Sequence, residues 1–379
     1  MKIAFLSHLD LNLYLFRLPI MIELINAGHK VYAICPEGEK FKEFKRYGVT
    51  ALSYDVSRKS LNPLKELKTI YGIYKTIKPL DLDILHNFTA KPNIYGTISG
   101  HFAKVPKIIN SITGLGSFYI QTSIKASFIR TMMESLYKIV NKRAHNVIFQ
   151  NGDDMDYFIQ KHIVTESQAV LIRSSGIDSS LYERSLVSEL NINLLKSQLK
   201  ITTEIIILMV ARAIWDKGVR EYYEAADILT KKYKNIKFIF AGGTDDGNVS
   251  CANERFLRHS DVLWLGQRDD ILELTELSDI YVLPSYREGV PRTLLEAASM
   301  SKPIVTTNAV GCREVVEDGW NGYLVPIRNS EKLSEKIETL YLNEELRNNM
   351  GKNGRIKVVK DFDVRVVVKR YLDVYEKII

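Results

Sequence analysis

Only three cysteines occur among the 379 residues, Cys35, Cys251 and Cys312, and no two of them form a C-x-x-C pair. That spacing excludes a disulfide framework and a thiolate zinc site; each is expected as a small buried hydrophobe, and a reducing compartment fits. Long apolar runs are missing too. The opening MKIAFLSHLDLN is interrupted at Ser7, His8 and Asp10, and the longest later run, Ile205 to Ala211, is far short of the ~20 residues that span a bilayer. Neither a secretion signal nor a transmembrane helix is expected. No G-x-G-x-x-G opens a helix, because Gly114 and Gly116 lack a third glycine, which argues against a nucleotide-dependent hydride-transfer enzyme. With neither a zinc motif nor an RNP-like aromatic run, a nucleic-acid-binding module has no support, and no nucleic acid partner is expected.

What remains is globular in type. The 46% hydrophobic and 26% charged content excludes a disordered tail, a collagen-like repeat and a disulfide-stapled miniprotein. The length exceeds what one core usually serves, so two domains are expected. Charge divides unevenly between them. Residues 1–180 hold 23 Lys+Arg against 15 Asp+Glu, whereas residues 181–379 hold 29 against 30. A basic first half suits an anionic partner, whether phospholipid, nucleic acid or a phosphorylated substrate, with a scattered solvated surface as the alternative.

Short β-rich runs alternate with amphipathic stretches. In the first half these are Lys2–Ser7, a helix around Leu18–Asn26, Lys30–Ile34, a helix around Lys40–Tyr47, Thr50–Tyr54, a helix near Leu64–Thr76, Ile84–Asn87, a helix near Ile94–Ala103, Lys107–Ser111, a long helix near Ile124–Ala144, and Asn146–Gln150. The pattern predicts a doubly wound parallel sheet. A Ser- and Asn-rich stretch, Ser174 to Lys200, reads as a linker. A second series then runs through Glu204–Val210, a helix over Glu221–Lys232, Ile236–Ala241, a helix over Asn253–His259, Val262–Leu265, a helix over Ile271–Leu277, Ile280–Leu283, a helix over Arg292–Ser299, and Pro303–Thr306. The expected domains are 1–180 and 181–379, with a final helix near 362–379 a candidate to return to the first. Two such sheets facing one another would bound a ligand cleft with the carboxyl ends of their strands.

Two blocks carry the chemistry. Ala211-Arg212-Ala213-Ile214-Trp215-Asp216-Lys217-Gly218 follows a strand and precedes a helix. Cations at Arg212 and Lys217, beside the amides of a helix start, suit a diphosphate; solvated surface charge is the bland alternative. In Pro284-Ser285-Tyr286-Arg287-Glu288-Gly289-Val290-Pro291-Arg292-Thr293-Leu294-Leu295-Glu296, Gly289 permits a tight loop and Pro291 is expected to pre-set the first helical turn. Glu288 on the loop and Glu296 in the helix offer carboxylates to vicinal hydroxyls, while loop amides suit phosphate. A ligand needing both is a sugar nucleotide.

VARAIWDKG, PSYREGVPRTLLEA with its Glu288-x7-Glu296 spacing, and GCREVVEDGWNGYLV together resemble the retaining glycosyltransferases of family 4, essentially end to end. More narrowly, FLSHLDLNLYLFRLPI, SRKSLNP, GLGSFYI and ARAIWDKGVREYYEA look like members that add N-acetylgalactosamine to undecaprenyl-diphosphate-linked saccharides in bacterial protein N-glycosylation. The resemblance implies the GT-B fold, two facing Rossmann-like domains with an interdomain cleft. It also implies a UDP-N-acetylhexosamine donor, a polyprenyl-diphosphate-linked saccharide acceptor and an α-1,3 linkage. By the same resemblance, Arg212 and Lys217 hold the donor diphosphate, Glu296 the ribose hydroxyls, and Glu288 with the Gly289 and Val290 amides the donor sugar. Gly266 and Arg268, in Leu265-Gly266-Gln267-Arg268, would line the base by backbone contacts. On the acceptor side the candidates are His8, His86, Gly114, Gly116 and Arg17. The family often shows H-x-H after an Asp-Ile strand; here His86 is present and Phe88 occupies the second place.

No metal or other cofactor is expected. Asp81-Leu82-Asp83 precedes its strand, and Asp153-Asp154-Met155-Asp156 reads as a helix start, so both are expected as capping or surface acids. The helix from Ile124 mixes apolar residues with Lys125 and Arg130, which suits either a core-packing helix with a basic outer face or one lying on an anionic membrane surface. The lipid-linked acceptor that the resemblance implies, with the basic first half, favours peripheral binding on the cytoplasmic face of the cell membrane. The alternatives are a family 4 transferase of capsule or O-antigen assembly, and a GT-B sugar-nucleotide 2-epimerase, against which the intact Glu288-x7-Glu296 block argues.

Overall fold

The computed structural model describes residues 1–55, 62–258 and 261–378. Most of SRKSLNP and the expected helix end at His259 therefore lie outside the described residues. The chain divides into two compact units, Met1–Gly176 with Val364–Ile379, and Ile177–Asp363.

The first unit runs β1 (Lys2–Leu6), α1 (Asp10–Phe16), α2 (Leu18–Asn26), β2 (Lys30–Ile34), β3 (Thr50–Leu52), α3 (Pro63–Ile77), β4 (Ile84–Phe88), α4 (Ala90–Phe102), β5 (Lys107–Ile112), α5 (Ile124–Asn141), β6 (Asn146–Phe149), α6 (Gly152–Gln160) and β7 (Ala169–Leu171). Its seven strands lie parallel in the order β3-β2-β1-β4-β5-β6-β7. Strands β1, β2, β4, β5 and β6 are largely buried on both faces, which is why they read as apolar runs without alternation, whereas the edge strands β3 and β7 are half-exposed. Ile73 and Ile77 of α3 and Tyr137 and Val140 of α5 seal one face; Leu13, Met21 and Leu24 of α1 and α2 seal the other. Phe41–Tyr47 forms a 3₁₀ turn in place of the expected α-helix, ended by left-handed Gly48.

The second unit contains α7 (Glu189–Leu199), β8 (Ile205–Val210), α8 (Val219–Lys232), β9 (Ile236–Ala241), α9 (Glu254–Leu257), β10 (Val262–Gly266), α10 (Ile271–Leu277), β11 (Ile280–Leu283), α11 (Arg292–Ser299), β12 (Ile304–Thr307), α12 (Cys312–Val315), β13 (Gly322–Val325), α13 (Ser330–Leu342) and α14 (Glu344–Asp361). Its six parallel strands follow the order β10-β9-β8-β11-β12-β13. The stretch read as a linker is only partly one, because α7 packs on α10 as part of this unit.

The last helix, α15 (Val364–Ile378), belongs to the first unit. The final helix thus returns to the first unit, as the 362–379 stretch allowed, and the break between units falls after Gly176 rather than at 180, with the second unit ending at Asp363. The physical reason is the apolar face of α15: Val367, Val368, Tyr371, Val374 and Tyr375 join the core formed by Phe5, Met21 and Phe88. Cys35 and Cys312 are buried and Cys251 is half-buried, all as free thiols.

Candidate functional site

In the second sheet the winding reverses between β8 and β11, and ligands of doubly wound sheets bind at the carboxyl edge of such a switch point. The loops after β8 and β11 emerge there side by side. Gly218 closes the first in a left-handed conformation, φ +74°, and a Cβ at that position would stand 2.0 Å from the Pro284 carbonyl oxygen. Only glycine lets the two loops approach so closely. Tyr286 N–H donates to the Asp216 carbonyl at 2.9 Å, which fixes their register.

That register brings Lys217 and Glu288 together. Lys217 Nζ donates to Glu288 Oε1, with the two side chains 17% and 13% exposed. Ser285, fully buried, donates its hydroxyl proton to the same carboxylate at 2.7 Å. Glu288 N–H is bound by the Val310 carbonyl at 2.9 Å, and Gly311 lies so near that a Cβ on it would meet the Gly289 carbonyl at 2.4 Å. The Glu288-Gly289-Val290 loop is thereby clamped from both sides. Beneath it, burial pushes the Cys312 thiol up to about 12, and the Glu288 carboxylate adds to that shift. Tyr286 anchors the loop to α8 by sharing its phenol proton with both Glu221 oxygens at 2.8 and 2.9 Å, and burial followed by that carboxylate raises the phenol above its ordinary range.

The other donor-side candidates stand at the same carboxyl edge. Arg212, after β8, pairs with Asp245, after β9. Gly266 ends β10 at φ +67°, and Arg268 forks onto Asp270 at 2.8 and 2.5 Å, holding that carboxyl below its usual range. Glu296, one turn into α11, accepts from Arg292 Nε and from the Tyr182 hydroxyl, each at 3.0 Å. Pro291 is the residue before the helix, at ψ 116°, and not its first turn. Asp245, Ser285 and Tyr182 escape sequence reasoning: each meets its partner only through the fold, and Tyr182 sits in the stretch read as linker.

The first sheet reverses between β1 and β4. At its carboxyl edge His8 Nδ1 lies 2.7 Å from the Thr89 hydroxyl. Thr89, another residue without a sequence signal, holds φ +75°, a strained conformation for a β-branched side chain, of order 1–3 kcal/mol. Gly114 and Gly116, after β5, take φ +130° and +78°, and a Cβ on Gly116 would meet nothing within 4 Å.

Two acceptor-side candidates are corrected. His86 is fully buried, its ring nitrogens 2.6 Å from the Tyr375 hydroxyl and 2.8 Å from the Ser111 hydroxyl, with its ring stacked on Phe88 at 4.1 Å. Burial, with the Arg17 charge nearby, holds this imidazole well below its usual value and keeps it neutral. Arg17 is 1% exposed, lies over the Phe88 ring at 4.5 Å and donates to Tyr371 at 3.1 Å. Both turn inward because α15 supplies aromatic partners there.

The acidic pairs read as caps stand as follows. Asp83 accepts from Lys2 N–H at 2.7 Å, and Asp153 and Asp154 occupy the first turn of α6 behind the Asn151 cap. Among the described residues no group of three or more His, Cys, Asp and Glu is arranged to hold a metal ion, and no helix is long and apolar enough to cross a membrane. On α5, Ile124, Phe128, Met132 and Ile139 are exposed, the first two at 91% and 72%. Arg130 does not share that face as expected: its guanidinium donates to the Phe118 and Gln121 carbonyls and lies over the Tyr119 ring.

Residues 2–151 match the Glycosyl transferase 4-like family and residues 191–357 the Glycosyl transferases group 1 family. Over 379 residues, all of this chain and 99% of the relative, the chain is 37% identical to the N,N'-diacetylbacillosaminyl-diphospho-undecaprenol alpha-1,3-N-acetylgalactosaminyltransferase of Campylobacter jejuni. It is 23% identical, over 93% of the chain and 90% of the relative, to the UDP-Gal:alpha-D-GlcNAc-diphosphoundecaprenol alpha-1,3-galactosyltransferase of Escherichia coli. Among solved structures, the Anabaena HepE complex with UDP and glucose superposes with a TM-score of 0.80 at 20% identity, each chain fully covered. A glycosyltransferase from Rickettsia africae reaches 0.81 at 19% identity, covering all of this chain and 98% of its own.

Proposed function

The chain belongs to the retaining GT-B glycosyltransferases of family 4, and from that premise we propose that it transfers N-acetylgalactosamine, or a related hexosamine, from its UDP form to a saccharide carried on undecaprenyl diphosphate, forming an α-1,3 linkage. One observation carries the chemistry: Lys217 and Glu288 meet at the switch point of the second sheet. As the glycosidic bond of the donor breaks, negative charge accumulates on the departing diphosphate. Lys217 and Arg212 are the cations at hand to meet it, and preorganised charge of this kind usually contributes more to catalysis than any other single effect. Glu288, held by Ser285 and Lys217, orients the donor sugar through its hydroxyls, and Glu296 takes the ribose. With both cations in these roles, no metal is required.

Donor and acceptor identity rest on the full-length likeness to the C. jejuni enzyme. The acceptor falls to the first unit, where His8 and the open backbone at Gly116 leave room for a saccharide on a lipid diphosphate. A lipid-linked acceptor supports a position at a membrane surface. The exposed Ile124 and Phe128 of α5, with Lys125 between them, offer apolar insertion beside a cation. The test is a panel of UDP-sugars against a short-chain polyprenyl-diphosphate saccharide, with product linkage read by NMR, with and without EDTA. Preference for UDP-N-acetylgalactosamine and an α-1,3 product, indifferent to EDTA, is expected. Transfer only from another nucleotide sugar, or activity abolished by EDTA and restored by manganese, overturns the respective part of the reading. Turnover of UDP-sugar without acceptor would indicate an epimerase.

A further inference from the structure

Both cations assigned to the donor diphosphate are held by carboxylates, but the two pairs are built differently. Lys217 and Glu288 are both mostly buried, whereas Arg212 is 60% exposed and its partner Asp245 35%. The acid of the second pair is the anchored member. Asp245 Oδ2, which receives Arg212 Nη1, also accepts from Asn248 Nδ2 at 2.9 Å, and the Asp245 carbonyl accepts Asn248 N–H at 2.9 Å. The segment bearing them is fastened to the Arg212 turn itself. Ala213 N–H donates to the Gly243 carbonyl at 2.9 Å, Trp215 N–H to the Ser250 carbonyl at 2.7 Å, and the Ser250 hydroxyl to Asp216 at 2.9 Å. The carboxylate is therefore fixed in place beside the turn, and the long, solvated arginine side chain is the part free to rotate away.

A carboxylate fixed beside a diphosphate-binding cation has one electrostatic consequence. A diphosphate taking Arg212 must displace Asp245 or endure its like charge. We propose that Asp245 is a positioning residue that parks Arg212, holding the guanidinium in an ion pair that the donor diphosphate must break on arrival and that re-forms to expel UDP after transfer. This rests on the diphosphate assignment above and adds to it a built-in limit on nucleotide affinity. The exchange trades one charge-assisted contact of Arg212 for another. Donor binding is thereby kept shallow, and the product is released more readily.

The sign of the effect separates this role from a merely structural one. Losing structural support at the turn would weaken UDP binding; losing a competitor strengthens it. In the full-length protein, Asp245→Asn, which keeps the shape and an acceptor for Asn248, is expected to tighten UDP binding about two- to fivefold by calorimetry, the worth of a partly exposed ion pair. Donor KM should fall in step. Asn248→Ala, which loosens the anchor, should act in the same direction and less. A general easing of negative charge would persist without the arginine, so the deciding comparison is Asp245→Asn in an Arg212→Ala background, where no tightening is expected. Weakened or unchanged UDP affinity in Asp245→Asn, or tightening that survives the loss of Arg212, overturns the parking role while leaving the diphosphate assignment standing. Equal UDP affinity in Asp245→Asn and in Asp245→Asn with Arg212→Ala, the competitor being absent from both, overturns both.

Discussion

The two sheets reverse their winding at the same kind of point, yet their carboxyl edges are furnished differently. The second carries opposed charges in pairs: Arg212 with Asp245, Lys217 with Glu288, Arg268 with Asp270, Arg292 with Glu296. The first carries one such pair, Lys91 with Glu66, alongside a His8–Thr89 contact, a strained backbone at Thr89 and glycines at positive φ, while its own Arg17 and His86 face the core. A polyanionic nucleotide calls for cations whose geometry is set beforehand. A saccharide on a lipid calls for space and neutral hydrogen bonds. The proposed division of labour asks one architecture for both, which doubly wound sheets allow because the loops after the strands vary while the strands beneath them do not.

The largest test of this contrast is Lys217→Ala, expected to lower kcat by at least ~10²-fold, as for removal of one preorganised electrostatic donor. His8→Ala at the other edge should cost less and act chiefly on acceptor KM. Steady-state kinetics with both substrates varied makes the comparison, and near-normal turnover in a folded Lys217→Ala variant would end the electrostatic account.

Next come the two carboxylates. If Glu288 orients the donor sugar as proposed, Glu288→Gln should cut kcat by about tenfold or more, since its carboxylate also touches Lys217, whereas Glu296→Gln should mainly raise donor KM. The opposite pattern would mean that their roles are exchanged.

The inward-facing histidine gives a stability effect of moderate size. Because the fold depresses the His86 pKa, the unfolded chain binds the extra proton first. Its contribution to stability is present above the ordinary histidine value of about 6.5 and is lost as pH falls below it, at up to ~1.4 kcal/mol per pH unit. Thermal melts from pH 7.5 to 5.5 should show this slope, flattened in His86→Gln. An unaltered slope in that variant would assign the acid sensitivity elsewhere.

The smallest effect is expected at the α5 surface. Lys125→Ala should weaken binding to phosphatidylglycerol vesicles by about fivefold, near 1 kcal/mol for one lysine, and high salt should abolish the difference. Phe128→Ser should remove the salt-resistant remainder. Vesicle sedimentation reads both, and no binding by the parent protein at low salt would leave α5 an ordinary packing helix.

Much of the scaffold was legible because parallel strands buried on both faces leave uninterrupted apolar runs. Ile236–Ala241 and the helix Leu18–Asn26 could be bounded to the residue. The charged residues of the candidate site stand out in the sequence because Arg212, Lys217, Glu288 and Glu296 crowd into two short blocks flanked by glycines, and the fold brings Lys217 and Glu288 into contact. Their other partners do not stand out. Tyr182 reaches Glu296 across 114 residues of chain and Asp245 reaches Arg212 across 33, and no local pattern marks either contact. Arg17 and Arg130 misled for the same reason in reverse. An arginine in a recognisable motif or on a basic helix reads as available, and only the fold shows that Phe88 and Tyr371, or two loop carbonyls, already hold it.

The return of α15 to the first unit also bears on how the molecule is made. Tyr371 and Tyr375, which close over Arg17 and His86, leave the ribosome only after every residue of the second unit has been synthesised. The first unit, though begun first, waits with part of its apolar core uncovered while the second, continuous in sequence, can finish on its own. During that interval the amino-terminal half is the one exposed to chaperones and proteases. A lesion near the carboxyl terminus would register as instability in the half of the protein encoded first.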